Sequence, residues 1–289
     1  VNATAMFLPW AMERQSPVVG SGGGLFTLPE GLKQTQNAAV LVDELRFDPV
    51  LISGLGTIRA TISVGRQSIC NDVPLDVLCK PLDFSANFNN FAVSARVLRF
   101  VRPLYLPDNG QINVGLRFVD PTGGAHYVPI AFNVMVVGRT LPSNFPAPAY
   151  IDVPFGSFWQ PPASAVNFIA QSTPTDLKNG LAEDLEVKRF TFLPVGNAGT
   201  FNQLDNLAAS GNAKLQLFGS NGLLGVRDQT PAGALMHLGR LAWGVNSILP
   251  AGGFYIADLD YTVRAGFSSV VFYLGMFGSR KIPYAELGV

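Results

Sequence analysis

The segment from Leu106 to Phe118, LPDNGQINVGLRF, reads as a strand hairpin, and 143 residues later LPAGGFYIADLDY, from Leu249 to Tyr261, repeats its outline. Proline cannot donate to a β-ladder, so Pro107 and Pro250 each close a preceding strand. Asn109-Gly110 and Gly252-Gly253 tolerate the positive φ that tight turns require. After the turn, Ile112, Val114, Leu116 and Phe118 fall at every second position and so share one sheet face. A chain of 289 residues has room for this corner twice because it has room for two units of roughly 145 residues, each large enough for its own core.

The repeat extends beyond one hairpin. Leu98 and Phe100 line up with Leu241 and Trp243, LVDELRF ending at Phe47 with LEVKRF ending at Phe190, and VVGRTLP ending at Pro142 with MFGSRKIP ending at Pro283. ATISVGR and KLQLFGSN correspond at an offset about ten residues larger. That places an insertion in the second copy before this strand and a compensating loss after it. Short apolar runs such as ATISV, VPIAFNVMVV, AKLQLF, YTVRA and SSVVFYLGMF are bounded by Gly, Pro, Asn and Ser, the punctuation of a β-sandwich. Helical periodicity is brief, with PLDVLCK, TDLKNGLAEDLE and GALMHLGRLAW as candidates in connections. The expected organisation is an N-terminal arm and loop over 1–39, including Ser21-Gly22-Gly23-Gly24, then a first sandwich over 40–142. A Pro- and aromatic-rich crossover over 143–185, with Phe155, Phe158 and Trp159, is too apolar for a free linker and is expected to be extended and pinned to one barrel, leading to a second sandwich and tail over 186–289.

Charged residues make up 14% of the chain, against about 25% in ordinary soluble proteins, and formal net charge is zero. With Lys and Arg scattered there is no basic stripe to displace counterions from a phosphate backbone, so direct nucleic-acid binding is not expected. A neutral, charge-poor exterior favours self-association. No apolar run approaches the 18 or so residues of a membrane-spanning helix. MFLPWAM lacks the basic n-region and the length of a signal peptide. GSGGG lacks the Lys-Ser/Thr of a phosphate loop.

The same reading finds no catalytic, cofactor-binding or metal site. His126 and His237 are the only histidines, and neither has an acidic or histidine neighbour at ligand spacing. Asp258 and Asp260 are two apart and share a strand face, where paired carboxylates can act on glycosides or hold a hard cation, but a solvated face is the simpler reading. Asp43-Glu44 and Glu183-Asp184 are adjacent and are expected just before a core strand, as charged edge or helix-end residues. Cys70 and Cys79 match no zinc spacing and read as two buried or free thiols, with a short loop-closing disulfide as the alternative. No Ser, His and acid constellation and no activated Cys stands out.

LVDELRF, RFVRPLYLPDNGQINVGLRF and VPIAFNVMVVGRTLP, with VKRFTF, WGVNSILPAGGFYIADLDY and VVFYLGMFGSR in the second copy, resemble the jelly-roll halves of major capsid proteins in tailless, membrane-containing icosahedral phages of the tectivirus and adenovirus lineage. The resemblance covers roughly 40–142 and 186–283 and lies in strand order and corner chemistry. It implies an all-β fold of two tandem eight-stranded jelly-roll sandwiches with short helices in connections. It also implies a trimer presenting six barrels, a pseudo-hexagon that tiles a lattice, with no catalytic residues. Partners would then be further copies of the chain, a penton or second coat protein, and an internal viral membrane reached by the apolar head of MFLPWAMERQ. The location would be the virion capsid, assembled in the host cytoplasm. The chain is shorter than many double-barrel coat proteins. A related branch divides the work between two single-barrel proteins, although the low charge here is unlike the ion-pair-rich surface of a thermophile. The competing class is a secreted two-sandwich carbohydrate-active or glycan-binding protein, for which Trp10, Trp159 and Trp243 would supply aromatic platforms.

Overall fold

The computed structural model describes residues 8–15, 26–28, 31–33, 38–49, 57–81, 96–119, 132–142, 145–161, 167–196, 211–219, 222–231, 248–263 and 270–288. The first half of the chain contributes β1 (Leu8–Gln15), β2 (Phe26–Thr27), β3 (Leu32–Lys33), β4 (Val40–Pro49), β5 (Thr57–Val64) and β6 (Gln67–Pro74). A one-turn helix α1 (Leu75–Leu78) follows, then β7 (Lys80–Pro81), β8 (Arg96–Leu106), β9 (Gln111–Val119) and β10 (Phe132–Thr140). The second half contributes β11 (Tyr150–Trp159), β12 (Phe168–Gln171), β13 (Leu177–Lys178), β14 (Leu185–Gly196), β15 (Gly211–Gly219) and β16 (Gly222–Pro231). It ends with β17 (Ile248–Leu249), β18 (Phe254–Val263), β19 (Val270–Pro283) and a 3-10 turn at Tyr284–Leu287.

Strand pairing is the same in both halves. In the first, β10 lies between β1 and β4, and β4 pairs β8; in the second, β19 lies between β11 and β14, and β14 pairs β17. On the opposite layer, β9 takes β2 and β3 on one edge and β5 on the other, with β6 beyond, just as β18 takes β12 and β13, then β15 and β16. Every one of these pairings is antiparallel, the arrangement in which a sheet commonly packs one face on a core.

Local irregularities repeat too. β4 bulges at Asp43 and β14 at Lys188, each opposite a glycine, Gly138 and Gly278. A Cβ at Gly138 would lie 2.2 Å from the Leu41 carbonyl oxygen, and one at Gly278 would lie 2.3 Å from that of Glu186. Only glycine fits where the extra residue pushes the partner backbone this close. At the corner, Gly110 and Gly253 donate to the Pro107 and Pro250 carbonyls at 2.9 and 2.8 Å, and Asn109 and Gly252 both take the left-handed conformation, with φ of 59° and 72°.

The registers correct one alignment. Phe47 faces Val134, and its counterpart facing Leu274 is Phe192, not Phe190. Both phenylalanines are fully buried. A two-residue slip keeps every side chain on its face, so the sequence pattern alone tolerates the error.

Leu8–Gln15, within the expected N-terminal arm, pairs with β10 along its whole length and buries Trp10 in the core. The expected crossover holds β11, β12 and β13, which join the second half's sheets. One expectation changes. TDLKNGLAEDLE is not helical; its Thr173–Asp176 turn is closed by the Asp176 carboxylate on the Thr173 N–H at 2.6 Å, and the chain then enters β13. PLDVLCK does form α1, whereas GALMHLGRLAW lies outside the described residues. Among the described residues no helix is long and apolar enough to cross a membrane.

Candidate functional site: the seam and the open edges

The two halves meet where β11 runs parallel to β6, bridged at Gly156 and Cys70, so that one nine-stranded sheet carries strands from both. α1 caps the junction. A Cβ at Gly275 would lie 1.7 Å from Val77 Cγ1, and one at Gly156 2.5 Å from a Leu78 methyl, so the two glycines admit the helix against β19 and β11. The apolar core crosses the seam: Ile151, Val153, Tyr273, Phe277, Ile282 and Leu287 pack in the same cluster as the core of the first half.

Arginines fasten the rest, because a guanidinium can stack and donate several hydrogen bonds at once. Arg59 donates to Gln160 Oε1 at 2.8 Å and to Asp72 at 3.1 Å, with its guanidinium 5.2 Å from the Phe158 ring centre. Asp72, held at a φ of 54°, is also bound by Arg117. Arg189 donates to the Leu78 carbonyl at the end of α1 and lies over Phe277. Arg280, buried, donates to Gln67 Oε1 at 2.7 Å, with Glu183 at 3.8 Å. Burial pulls both Arg189 and Arg280 below the ordinary guanidinium value, while Glu183 partly restores Arg280. Arg102 bridges Asp152 and Glu186 at the rim. Tyr284 packs edge-on against Tyr105 with ring centres 5.5 Å apart, and burial raises the Tyr105 phenol. Gln67 donates to the Glu286 carbonyl at 2.7 Å, tying the end of the chain to the β5–β6 turn.

The residues weighed as chemical sites fall elsewhere. Asp258 and Asp260 do share the outer face of β18, where Asp258 accepts from Gln171 at 2.5 Å, a solvated strand face. Asp43 and Glu44 sit inside β4 rather than before it: Asp43 is the bulge residue, paired with Arg139, and Glu44 is buried between Arg46 and Arg99. Glu183 and Asp184 do precede β14; Asp184 accepts from the Ala251 N–H at 3.2 Å. Cys70 and Cys79 are buried and not joined by a disulfide, and burial pushes Cys70 up to about 12. Trp10 and Trp159 are buried, so they offer no platform to a sugar. His126, His237, Trp243 and the Ser21–Gly24 run lie outside the described residues. No group of three metal-ligating side chains occurs among the described residues. The seam arginines were not foreseen; their partners lie up to 213 residues away in sequence.

The fold and the seam define an all-β protein of jelly-roll type in which one strand-pairing scheme occurs twice. No protein-family model matches the chain, and no curated protein matches it. Among solved structures it is similar to the major capsid protein P2 of bacteriophage PM2, at 8% identity and a TM-score of 0.43, covering 93% of this chain and 98% of that one. It is also similar to a chain of the Sputnik virophage, at 8% identity and a TM-score of 0.36 over 94% and 86% of the two chains. The mavirus major capsid protein matches at 12% identity and 0.36 over 97% and 87%.

Proposed function

We propose that the chain is the major coat protein of an icosahedral virus, a bacteriophage of the membrane-containing kind, and that it builds the shell by tiling as a pseudo-hexagonal trimer. The observation that carries this reading is the doubled pairing scheme, with one sheet and one core cluster shared between the halves. Two near-equivalent sandwiches locked side by side give three chains six near-equivalent units, the shape that fills a hexagonal lattice with one gene product. The low charge supports it, since surfaces destined for extensive interfaces are depleted of charge. The buried Trp10 and Trp159 remove support from the carbohydrate-binding alternative. Partners in this reading are further copies of the chain and a protein that fills the vertices, and the location is the virion capsid.

The test is electron microscopy of the purified chain at rising concentration. Hexagonal patches or closed shells are expected. A chain that stays dispersed in every condition and hydrolyses a glycan panel would overturn the reading.

A further inference from the structure

The three sheets have six ends among the described residues. Four are strands of two to four residues: β7, β17, β2 and β12. The other two, β1 and β16, are eight and ten residues long, and no described strand pairs with their outer edges. A long open edge presents a row of unpaired backbone donors and acceptors and is normally covered. In the doubled scheme β1 is the counterpart of β11, and β16 is the counterpart of β6. Those counterparts are the two strands that meet in the seam. In each half, therefore, the edge that its twin uses in the seam has no partner strand among the described residues.

The residues on these edges agree. Leu8-Pro9-Trp10-Ala11 occupies the positions of Val153-Pro154-Phe155-Gly156 by register against β10 and β19. Val153 is fully buried in the seam, whereas its counterpart Leu8 is 54% exposed. Small residues recur where α1 presses on the seam, Ala11 for Gly156. On the complementary surface, Tyr105 is buried against Tyr284, whereas its counterpart Ile248 is 51% exposed. Both exposed apolar residues thus stand at positions that the seam covers.

We infer that the contact between chains is a copy of the contact within the chain: β16 of one copy lies parallel beside β1 of the next, with Ile248 and Leu8 at opposite ends of the buried patch. The contact is head-to-tail, so it closes into a ring when the repeated rotation adds up to a full turn with no translation along the axis. It rests on the trimer reading and names the surfaces that make it. By ladder position Gly225 of β16 corresponds to Cys70 of β6, so Ala11 of one chain should face Gly225 of another as Gly156 faces Cys70.

The experiment mixes two single variants, Ala11→Cys and Gly225→Cys, under mild oxidation and reads the products on a non-reducing gel. Neither native thiol competes, since both are buried. A disulfide-linked pair that forms only in the mixture, and a covalent trimer from the double variant, are expected. In parallel, light scattering should give a folded monomer for Leu8→Asp and for Ile248→Asp. The Ile169→Asp variant, at a residue 80% exposed on β12 and away from both edges, should keep the wild-type mass. Trimers that persist in Leu8→Asp and Ile248→Asp without any mixed disulfide would overturn the junction and leave the coat-protein reading standing. A wild-type chain that is monomeric and never assembles would overturn both.

Discussion

β10 and β19 hold the same place in their two halves, each between an N-terminal strand and the bulged strand, yet they are buried differently. β10 alternates: Val134 and Val136 are buried, Met135 and Val137 half-buried, Arg139 exposed. In β19 every residue from Phe272 to Arg280 is buried. The intrinsic strand is the same, and the difference is the neighbour, since the first half covers the outer face of β19 while nothing in the described chain covers that of β10. Sequence follows burial. β10 reads FNVMVVGRT, with alternation, and β19 reads VVFYLGMFGSRKIP, a nearly continuous apolar run of the kind found in strands covered on both sides.

The largest effect that bears on this contrast comes from one charge placed at the same register position on both sides. Val153→Asp places a carboxylate in the buried seam, across the ladder from Arg280, which is already bound to Gln67, and should cost about 2–4 kcal/mol of stability in urea unfolding. Leu8→Asp, exposed in the isolated chain, should cost less than about 1 kcal/mol by the same measurement while abolishing association. Equal costs would mean that β1 is already covered and that the contrast is false.

A smaller effect checks that the halves are copies where they should be. Gly138→Ala and Gly278→Ala each drive a Cβ into the backbone across the same bulge, and each should cost about 1–3 kcal/mol, alike within about 0.5. A large disparity would show that the two bulges only look equivalent.

The smallest expected effect is none at neutral pH. Both thiols should stay unreactive to an alkylating reagent in the native protein and become reactive on unfolding. With Cys70 raised to about 12, the folded chain keeps a proton that the unfolded chain loses above its ordinary value of 9.0. Stability should therefore be flat below that value and fall as pH rises towards 12, and Cys70→Ala should flatten that part of the slope. A Cys70 thiol titrated at pH 8 in the folded chain would contradict its burial in the seam.

Much of the fold was legible because it rests on local chemistry. Pro107, Asn109 and Gly110 spell a corner that Pro250, Gly252 and Gly253 spell again, and the structure puts the left-handed residue at the same turn position in each. What was missed lay at the edges. LPWAMERQ does not alternate strictly and looks like a loose arm, yet its Leu-Pro-Trp-Ala matches Val-Pro-Phe-Gly in β11, a signal that the repeat itself could have supplied. The seam was not legible, because Arg59, Arg189 and Arg280 find partners more than a hundred residues away and nothing in their local sequence announces them. Nor did spacing distinguish Phe190 from Phe192, since both lie on one face of β14.

The most direct measurement is the solution mass of the full chain by size-exclusion chromatography with light scattering. The account predicts a stable species of three chains, in which the two open edges are satisfied by neighbours as the seam satisfies their twins. A chain that remains a monomer at every concentration would contradict it.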